Sequence, residues 1–503
     1  MSPNDETVVL ASTGIRGLDD VLNGGLTPDR MYLVEGTPGT GKTTLGLGFL
    51  LTGAAAGESG LYITLAETEV ELRAVAKSHG WSLDSLQLFE MVPADGLDED
   101  QEQTLLHPSE VELGETVRGI MAQVEETRPT RVVLDSLSEL RLLAQSPIRY
   151  RRQILALKHF FSKRQCTVLL LDDKGAEGSD LQLHSIAHGV ISLDQTLASF
   201  GGQRRRMHIV KMRGVPFRGG YHDLEIQRGG LCVFPRLVAA DHETSPGGEA
   251  ISTGSQELDA LLGGGLVPGT ATLLTGPAGV GKTTGSVQCM VAALQRGQKA
   301  AYFLFDERLP TLLTRSASLG MDLQAYIDNG QLDLRAIDPA EMSPGEFASY
   351  VQDAVEEFGA SIIVIDSLNA YLQSMPNEQF LVLQMHEMLS YLGQKGVVSL
   401  LILGLHGLMG DIRSDVDLSY LSDTVVQLRY FEASGEVRQA ISVIKTRTAR
   451  HERTIREFQI GSNGLQLGQP LREFQGVLTG VPMFSGEGKT LMASMSDADV
   501  PRD

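Results

Sequence analysis

Two stretches of the chain, GTPGTGKT from Gly36 to Thr43 and GPAGVGKT from Gly276 to Thr283, have the spacing of a phosphate-binding loop. In such a loop, glycines let successive backbone N–H groups turn toward one anion at a helix N-terminus. A lysine reaches the β and γ phosphates, and a hydroxyl ligates magnesium. The nucleotide-binding candidates are Gly36, Thr37, Gly39, Thr40, Gly41, Lys42, Thr43 and Thr44 in the first loop. In the second they are Gly276, Gly279, Val280, Gly281, Lys282, Thr283 and Thr284. The implied ligands are ATP and Mg2+, with Thr43 and Thr283 on the metal. Asp135 ends the apolar run RVVLD and Asp366 ends IIVID, so each places a carboxylate at the carboxyl edge of a sheet, where a magnesium shell needs one. Both are assigned to the metal as Walker B aspartates. Glu67 follows LYITL, and Asp306 with Glu307 follows AYFLF. These three are general-base candidates, able to orient water for hydrolysis or to take a proton from a hydroxyl nucleophile. Glu69 and Glu71 read instead as acids placed in the first turn of a helix, where the macrodipole favours them.

The elements that must hold these groups occur twice. The segment STGIRGLDDVLNGGLTPDRMYLVEGTPGTGKTT from Ser12 aligns without a gap with STGSQELDALLGGGLVPGTATLLTGPAGVGKTT from Ser252. The same register pairs YITLAETEVELRAVAKSHGWSL from Tyr62 with YFLFDERLPTLLTRSASLGMDL from Tyr302, which makes Glu67 and Glu307 equivalent. A duplicated module of this length is one structural unit used twice. Short β-branched runs (MYLVEG, RVVLD, CTVLLL) alternate with helical periods (VELRAVAKSHG, RRQILALKHFF), a βαβ pattern. The expected fold class is α/β: two tandem P-loop domains, each a mostly parallel sheet flanked by helices. Pro, Gly and charge in AADHETSPGGEA put the boundary there, giving domains at 1–243 and 244–470. Residues 471–503, rich in Gly, Ser and Asp, read as a partly disordered tail.

Bulk properties narrow the function class. The 503 residues exceed one ordinary core, and a composition of 42% hydrophobic and 21% charged residues is that of a globular protein. Neither a membrane span nor a secretion signal is read from the sequence, so a cytoplasmic location is expected. The three scattered cysteines beside apolar residues argue against a disulfide framework or a zinc site. A net charge of −21 disfavours a nucleic-acid partner, although Arg149, Arg151, Arg152 and the triplet Arg204 to Arg206 form local basic clusters.

With these motifs assembled, the chain resembles the KaiC family, double-domain RecA-superfamily ATPases of the circadian clock. The likeness rests on the paired P-loops, the acids at the strand ends, the segments GWSL and GMDL, the Lys-x-Arg strands IVKMR and VIKTR, and REFQGVLTGVP. The resemblance implies a homohexamer of two-tiered rings with ATP at subunit interfaces. It further implies that Lys211 and Arg213, and Lys445 and Arg447, reach a neighbour's nucleotide, and that His451 is a further contact in the second ring. Phe217 is the first-ring counterpart of His451. In the family the first ring hydrolyses ATP and the second autophosphorylates a Ser-Thr pair. Here that pair falls at Ser419 and Tyr420, with Ser414 at a further hydroxyl position. Ala66 stands where the family has one member of the first ring's acidic pair, and Asp306 where it has a glutamate in the second. KaiB-like or other signalling partners are implied, with the tail after Leu471 as a docking element. Two other readings use the same loops: a nucleotide-switched signalling scaffold without kinase activity, and a RecA-type nucleic-acid motor.

Overall fold

The computed structural model describes residues 9–91, 108–174, 181–197, 201–244, 247–373, 378–405, 420–433, 435–448, 450–462, 464–479, 483–484 and 491–492. It divides into two compact units, Met1–Arg236 and Leu237–Asp503.

The first unit is built on nine strands: β1 (Met31–Gly36), β2 (Gly60–Thr64), β3 (Gln87–Glu90), β4 (Arg131–Asp135), β5 (Thr167–Asp173), β6 (Gly189–Thr196), β7 (Arg204–Met212), β8 (His222–Gln227) and β9 (Gly230–Phe234). Their order across the sheet is β3-β2-β4-β5-β1-β6-β7-β8-β9. The six strands from β3 to β6 pair in parallel, and β6 to β9 pair antiparallel. A parallel sheet of this kind is covered on both faces, and for that reason β1, β2 and β4 read as unbroken apolar runs and are buried along their whole length. The faces still alternate. Tyr32, Val34, Tyr62 and Val133 pack with Leu45 and Phe49 of the helix Lys42–Ala55. Leu33, Leu61, Ile63 and Val132 pack on the other side with Ile120, Leu157 and Phe161, from the helices Pro108–Thr127 and Pro147–Lys163. Each fully buried side chain of this type stabilises the fold by about 1.5–3 kcal/mol.

The second unit repeats the plan with β10 (Ala271–Gly276), β11 (Ala300–Leu304), β12 (Leu332–Ala336), β13 (Ile362–Asp366), β14 (Val398–Gly404), β15 (Thr424–Ala433), β16 (Glu436–Thr446), β17 (Arg456–Gly461) and β18 (Gly464–Pro470). The order is β12-β11-β13-β14-β10-β15-β16-β17-β18. Its two cores are again split by the sheet, one around Leu274, Met290, Tyr302 and Val364, the other around Phe303, Phe347, Ile365 and Met388. The expected mostly parallel RecA-like sheets are therefore present in both units, each extended by an antiparallel flank of three strands.

Packing runs past residue 470. Leu471 and Val477 are buried with Phe431, Ala433 and Ala440, and the Met492 N–H donates to Glu457 Oε2 at 2.6 Å. Cys166, Cys232 and Cys289 are all buried and unbridged. Among the described residues no helix is long and apolar enough to cross a membrane.

Parallel registration decides where the chemistry lies. Gly36 is level with Asp173, and Thr64 with Asp135, so the carboxyl ends of β1, β2, β4 and β5 line one edge. In the second unit Gly276 is level with Gly404, and Leu304 with Asp366. Ligands of open α/β sheets bind outside this edge.

Candidate functional site

Each P-loop joins the end of a central strand to a helix. Gly41 precedes the helix Lys42–Ala55 with φ 98°, and Gly281 precedes the helix Lys282–Leu294 with φ 105°. That left-handed region is open to glycine at little cost. Gly276 is required for a second reason: a Cβ there would lie 2.4 Å from the Leu428 carbonyl oxygen of β15. Lys42 is buried, and its Nζ donates to the carbonyls of Gly36 (2.8 Å) and Thr37 (3.2 Å) and pairs with Asp173 Oδ1 at 2.8 Å. Lys282 folds back similarly onto Gly276 (2.9 Å) and Pro277 (2.7 Å), but Gly404 leaves it without an acid at the Asp173 position. Burial pushes the Lys282 ammonium below the usual lysine range, against the opposing pull of Asp366.

The assigned metal ligands are adjacent. Thr43 Oγ1 donates to Asp135 Oδ2 at 3.2 Å, and Thr283 Oγ1 to Asp366 Oδ2 at 2.8 Å. The sequence reading had not singled out the tyrosines that hold these aspartates. The Tyr62 hydroxyl donates to Asp135 Oδ2 at 2.6 Å and the Tyr302 hydroxyl to Asp366 Oδ2 at 2.8 Å. Their signal is repetition alone, since each opens the second aligned segment of its module. Burial raises both aspartate carboxyls above their ordinary range, with the tyrosine and threonine bonds opposing it. Buried carboxylates that are costly to ionise, each beside a hydroxyl, form an all-oxygen donor set that fits magnesium. The peptide bonds Asp135–Ser136 and Asp366–Ser367 are both cis.

The base candidates have unlike surroundings. Glu67 is half-buried, and among the described residues its Oε2 is buried without a hydrogen-bond partner. Its carboxyl is pushed up, first by burial and then by the charges of Asp135 and Glu71. Glu71 closes a capping box with Thr68 on the helix Glu69–His79. Glu307, the equivalent of Glu67, accepts a two-pronged contact from Arg315, at 2.7 Å on Oε1 and 2.8 Å on Oε2. Asp306 is exposed and accepts from the Ser367 hydroxyl. Carboxylates are electrostatically coupled at each edge, but the principal ones come from different strands. They are Glu67, Asp135 and Asp173 in the first unit, and Asp306, Glu307 and Asp366 in the second.

The Lys-x-Arg residues are not brought to their own P-loop. Met212 is level with Gly189, and Gly189 with Tyr32, near the amino end of β1. Lys211 Nζ donates to the His184 carbonyl, and Arg213 Nη2 to Ser185 O at 2.8 Å. In the second unit Lys445 Nζ donates to Ser422 O at 2.9 Å and Arg447 Nη2 to Tyr420 O at 3.1 Å. Tyr420 is 52% exposed. His451 is half-buried in the connection between β16 and β17. Ser414 and Ser419 lie outside the described residues. Part of the basic triplet is spent internally: Arg205 Nε donates to Gly39 O at 3.1 Å and Arg206 pairs with Asp223 at 3.2 Å.

Two RecA-like sheets, each with a P-loop lysine and a strand-end aspartate beside a loop threonine, define a double-domain P-loop ATPase. The KaiC ATPase family model matches residues 11–238 and 251–472, and the chain belongs to that family. It is 26% identical over 484 residues to the circadian clock protein KaiC3 of Synechocystis sp., covering 95% of each chain. It is 27% identical over 497 residues to the circadian clock oscillator protein KaiC of Thermosynechococcus vestitus, covering 96% of this chain and 94% of that one. The KaiC of Picosynechococcus sp. is 28% identical over 487 residues, at 93% and 92% coverage.

Proposed function

We propose that this KaiC-type ATPase works as a cytoplasmic homohexamer in which the first unit hydrolyses ATP and the second carries out serine/threonine autophosphorylation. The observation that carries the hydrolytic half is the buried, unpartnered Oε2 of Glu67 beside Asp135. A carboxylate kept out of hydrogen bonds and pushed up in basicity is suited to take a proton from water. In that step the water oxygen bonds to Pγ, the Pγ–O bond to ADP breaks, and the water proton passes to Glu67. Magnesium would be held by Thr43 with Asp135 and by Thr283 with Asp366, and it supplies charge neutralisation to the phosphates.

Assembly is supported by the position of the cations. Lys211 and Arg213 lie at the sheet edge opposite their own P-loop, so they are placed to serve a nucleotide other than their own, which in the proposed ring is a neighbouring copy's. There they would stabilise charge developing on the transferred group. In the second unit Asp306 and Glu307 are the base candidates for transfer to Ser419, with Tyr420 and Ser414 as further hydroxyls and His451 as a nucleotide contact. KaiB-like or signalling proteins are the proposed partners.

A specific observation favours a second reading, a nucleotide-switched scaffold without kinase activity: Glu307 is occupied by Arg315. Incubation with Mg-ATP followed by phosphosite mapping by mass spectrometry separates the two. Phosphate on Ser419 that disappears in Glu307→Gln supports the autokinase. A chain that hydrolyses ATP yet carries no phosphate on residues 414, 419 or 420 is the scaffold.

A further inference from the structure

Duplication supplies an internal comparison for every residue near the nucleotide edge. Glu67 and Glu307 occupy the same place after β2 and β11, and the helices that follow, Glu69–His79 and Leu309–Ser318, begin in the same register. Val75 of the first helix corresponds to Arg315 of the second. Val75 packs against the core of its unit, whereas Arg315 turns its guanidinium onto Glu307 with both nitrogens engaged, at 2.7 and 2.8 Å. A two-pronged arginine–carboxylate contact is directional as well as strong. It takes one lone pair from each oxygen and fixes the plane of the carboxylate. Glu307 follows β11, whose Leu304 is level with Asp366, so the Arg315 fork lies at the reacting edge and not on a remote surface.

We propose that Arg315 is a positioning residue that restrains the second unit's chemistry by holding Glu307 against the helix Leu309–Ser318, away from proton transfer. The inference rests on the reading of Glu307 as a proton acceptor. In the restrained step, the nucleophile's oxygen bonds to Pγ and the Pγ–O bond to ADP breaks. The nucleophile's proton goes to a Glu307 oxygen, and because the fork fixes the carboxylate plane, that oxygen can swing toward the nucleophile only when the fork releases it. Among the described residues Glu67 Oε2 has no such restraint, and the valine at position 75 cannot form one.

The test uses the full-length chain in a Glu67→Gln background, which silences the first unit, and sums phosphate released and phosphate bound to protein under Mg-ATP. Adding Arg315→Met, of similar length but uncharged, is expected to raise kcat several-fold with KM unchanged, because the Glu307 carboxylate is then no longer held by the fork. Arg315→Lys, which offers one point contact in place of two, is expected to fall between, and it carries the test alone if the methionine variant does not fold. Adding Glu307→Gln to either variant removes the gain. If Arg315→Met or Arg315→Lys lowers kcat, or leaves it unchanged while Glu307→Gln lowers it, the restraint is disproved and the base survives. If Glu307→Gln leaves turnover as it was in both backgrounds, the base reading itself fails and the inference falls with it.

Discussion

At the residue scale, the contrast between Glu67 and Glu307 decides most. Glu67→Gln keeps shape and removes the proton acceptor, so kcat for phosphate release by the first unit is expected to fall about 10²–10⁴-fold with little change in KM, measured in a Glu307→Gln background. The raised carboxyl of Glu67 also fixes a pH signature. A base works only when deprotonated, so hydrolysis should fail as pH drops through a value above the ordinary glutamate range. Stability runs the other way. A carboxyl whose folded value exceeds its unfolded one favours the folded state as pH falls through the raised value, so Glu67 gives stability back where activity is lost. A pH–rate profile with its acidic limb at the ordinary glutamate position would contradict this. Asp173 makes a second prediction, because its carboxylate pairs with Lys42 where a phosphate must bind. Asp173→Asn should tighten ATP binding by the first unit several-fold in a titration with a fluorescent analogue, with the second site blocked by Lys282→Ala.

At the scale of elements, each strand–loop–helix joint is built around one immovable backbone contact. Gly276→Ala would drive a methyl into the Leu428 carbonyl of β15. The loop must then shift away from its strand, and loss of nucleotide binding by the second unit is expected without loss of the β-sheet signal in circular dichroism. At the other joint type, the Ser343 hydroxyl accepts from Glu346 N at 3.1 Å in a buried setting and caps the helix Pro344–Glu356. Ser343→Ala should cost about 1 kcal/mol in a chemical denaturation experiment. The legible part of the site was local. P-loop glycines, Lys42 and the strand-end acids announce themselves by spacing because one turn and one strand end place them. Tyr62, Asp173 and Arg315 were not legible as site residues, because their roles depend on neighbours set by sheet registration or by the pitch of a helix. Of the antiparallel flank only IVKMR, within β7, was read as a strand: β7 and β8 carry charge and lack the apolar run that revealed β1 and β4.

At the scale of the whole molecule, the Lys-x-Arg residues lie at the edge of each sheet away from its P-loop, and the proposed assembly has them complete a site on a second copy. A chain with Lys42→Ala and a chain with Arg213→Ala should each be weak in first-unit hydrolysis. When they are mixed and allowed to exchange, interfaces that pair an intact loop with an intact arginine form again. Recovery of phosphate release on mixing is the expected outcome, and strictly additive rates would rule out a shared site.

The two sets of coupled carboxylates add a constraint on how such a duplicated chain can change. The first unit draws an acid from the end of β5, where the second has glycine, and the second draws one from the turn after β11, where the first has alanine. The units therefore differ by a compensated exchange, and neither half of it is neutral alone. Converting Ala66 to aspartate without touching Asp173 adds a negative charge to that edge, while converting Asp173 to glycine without touching Ala66 removes the acid that pairs with Lys42. Only a paired replacement keeps the charge count, so a route from one kind of site to the other passes through a double step.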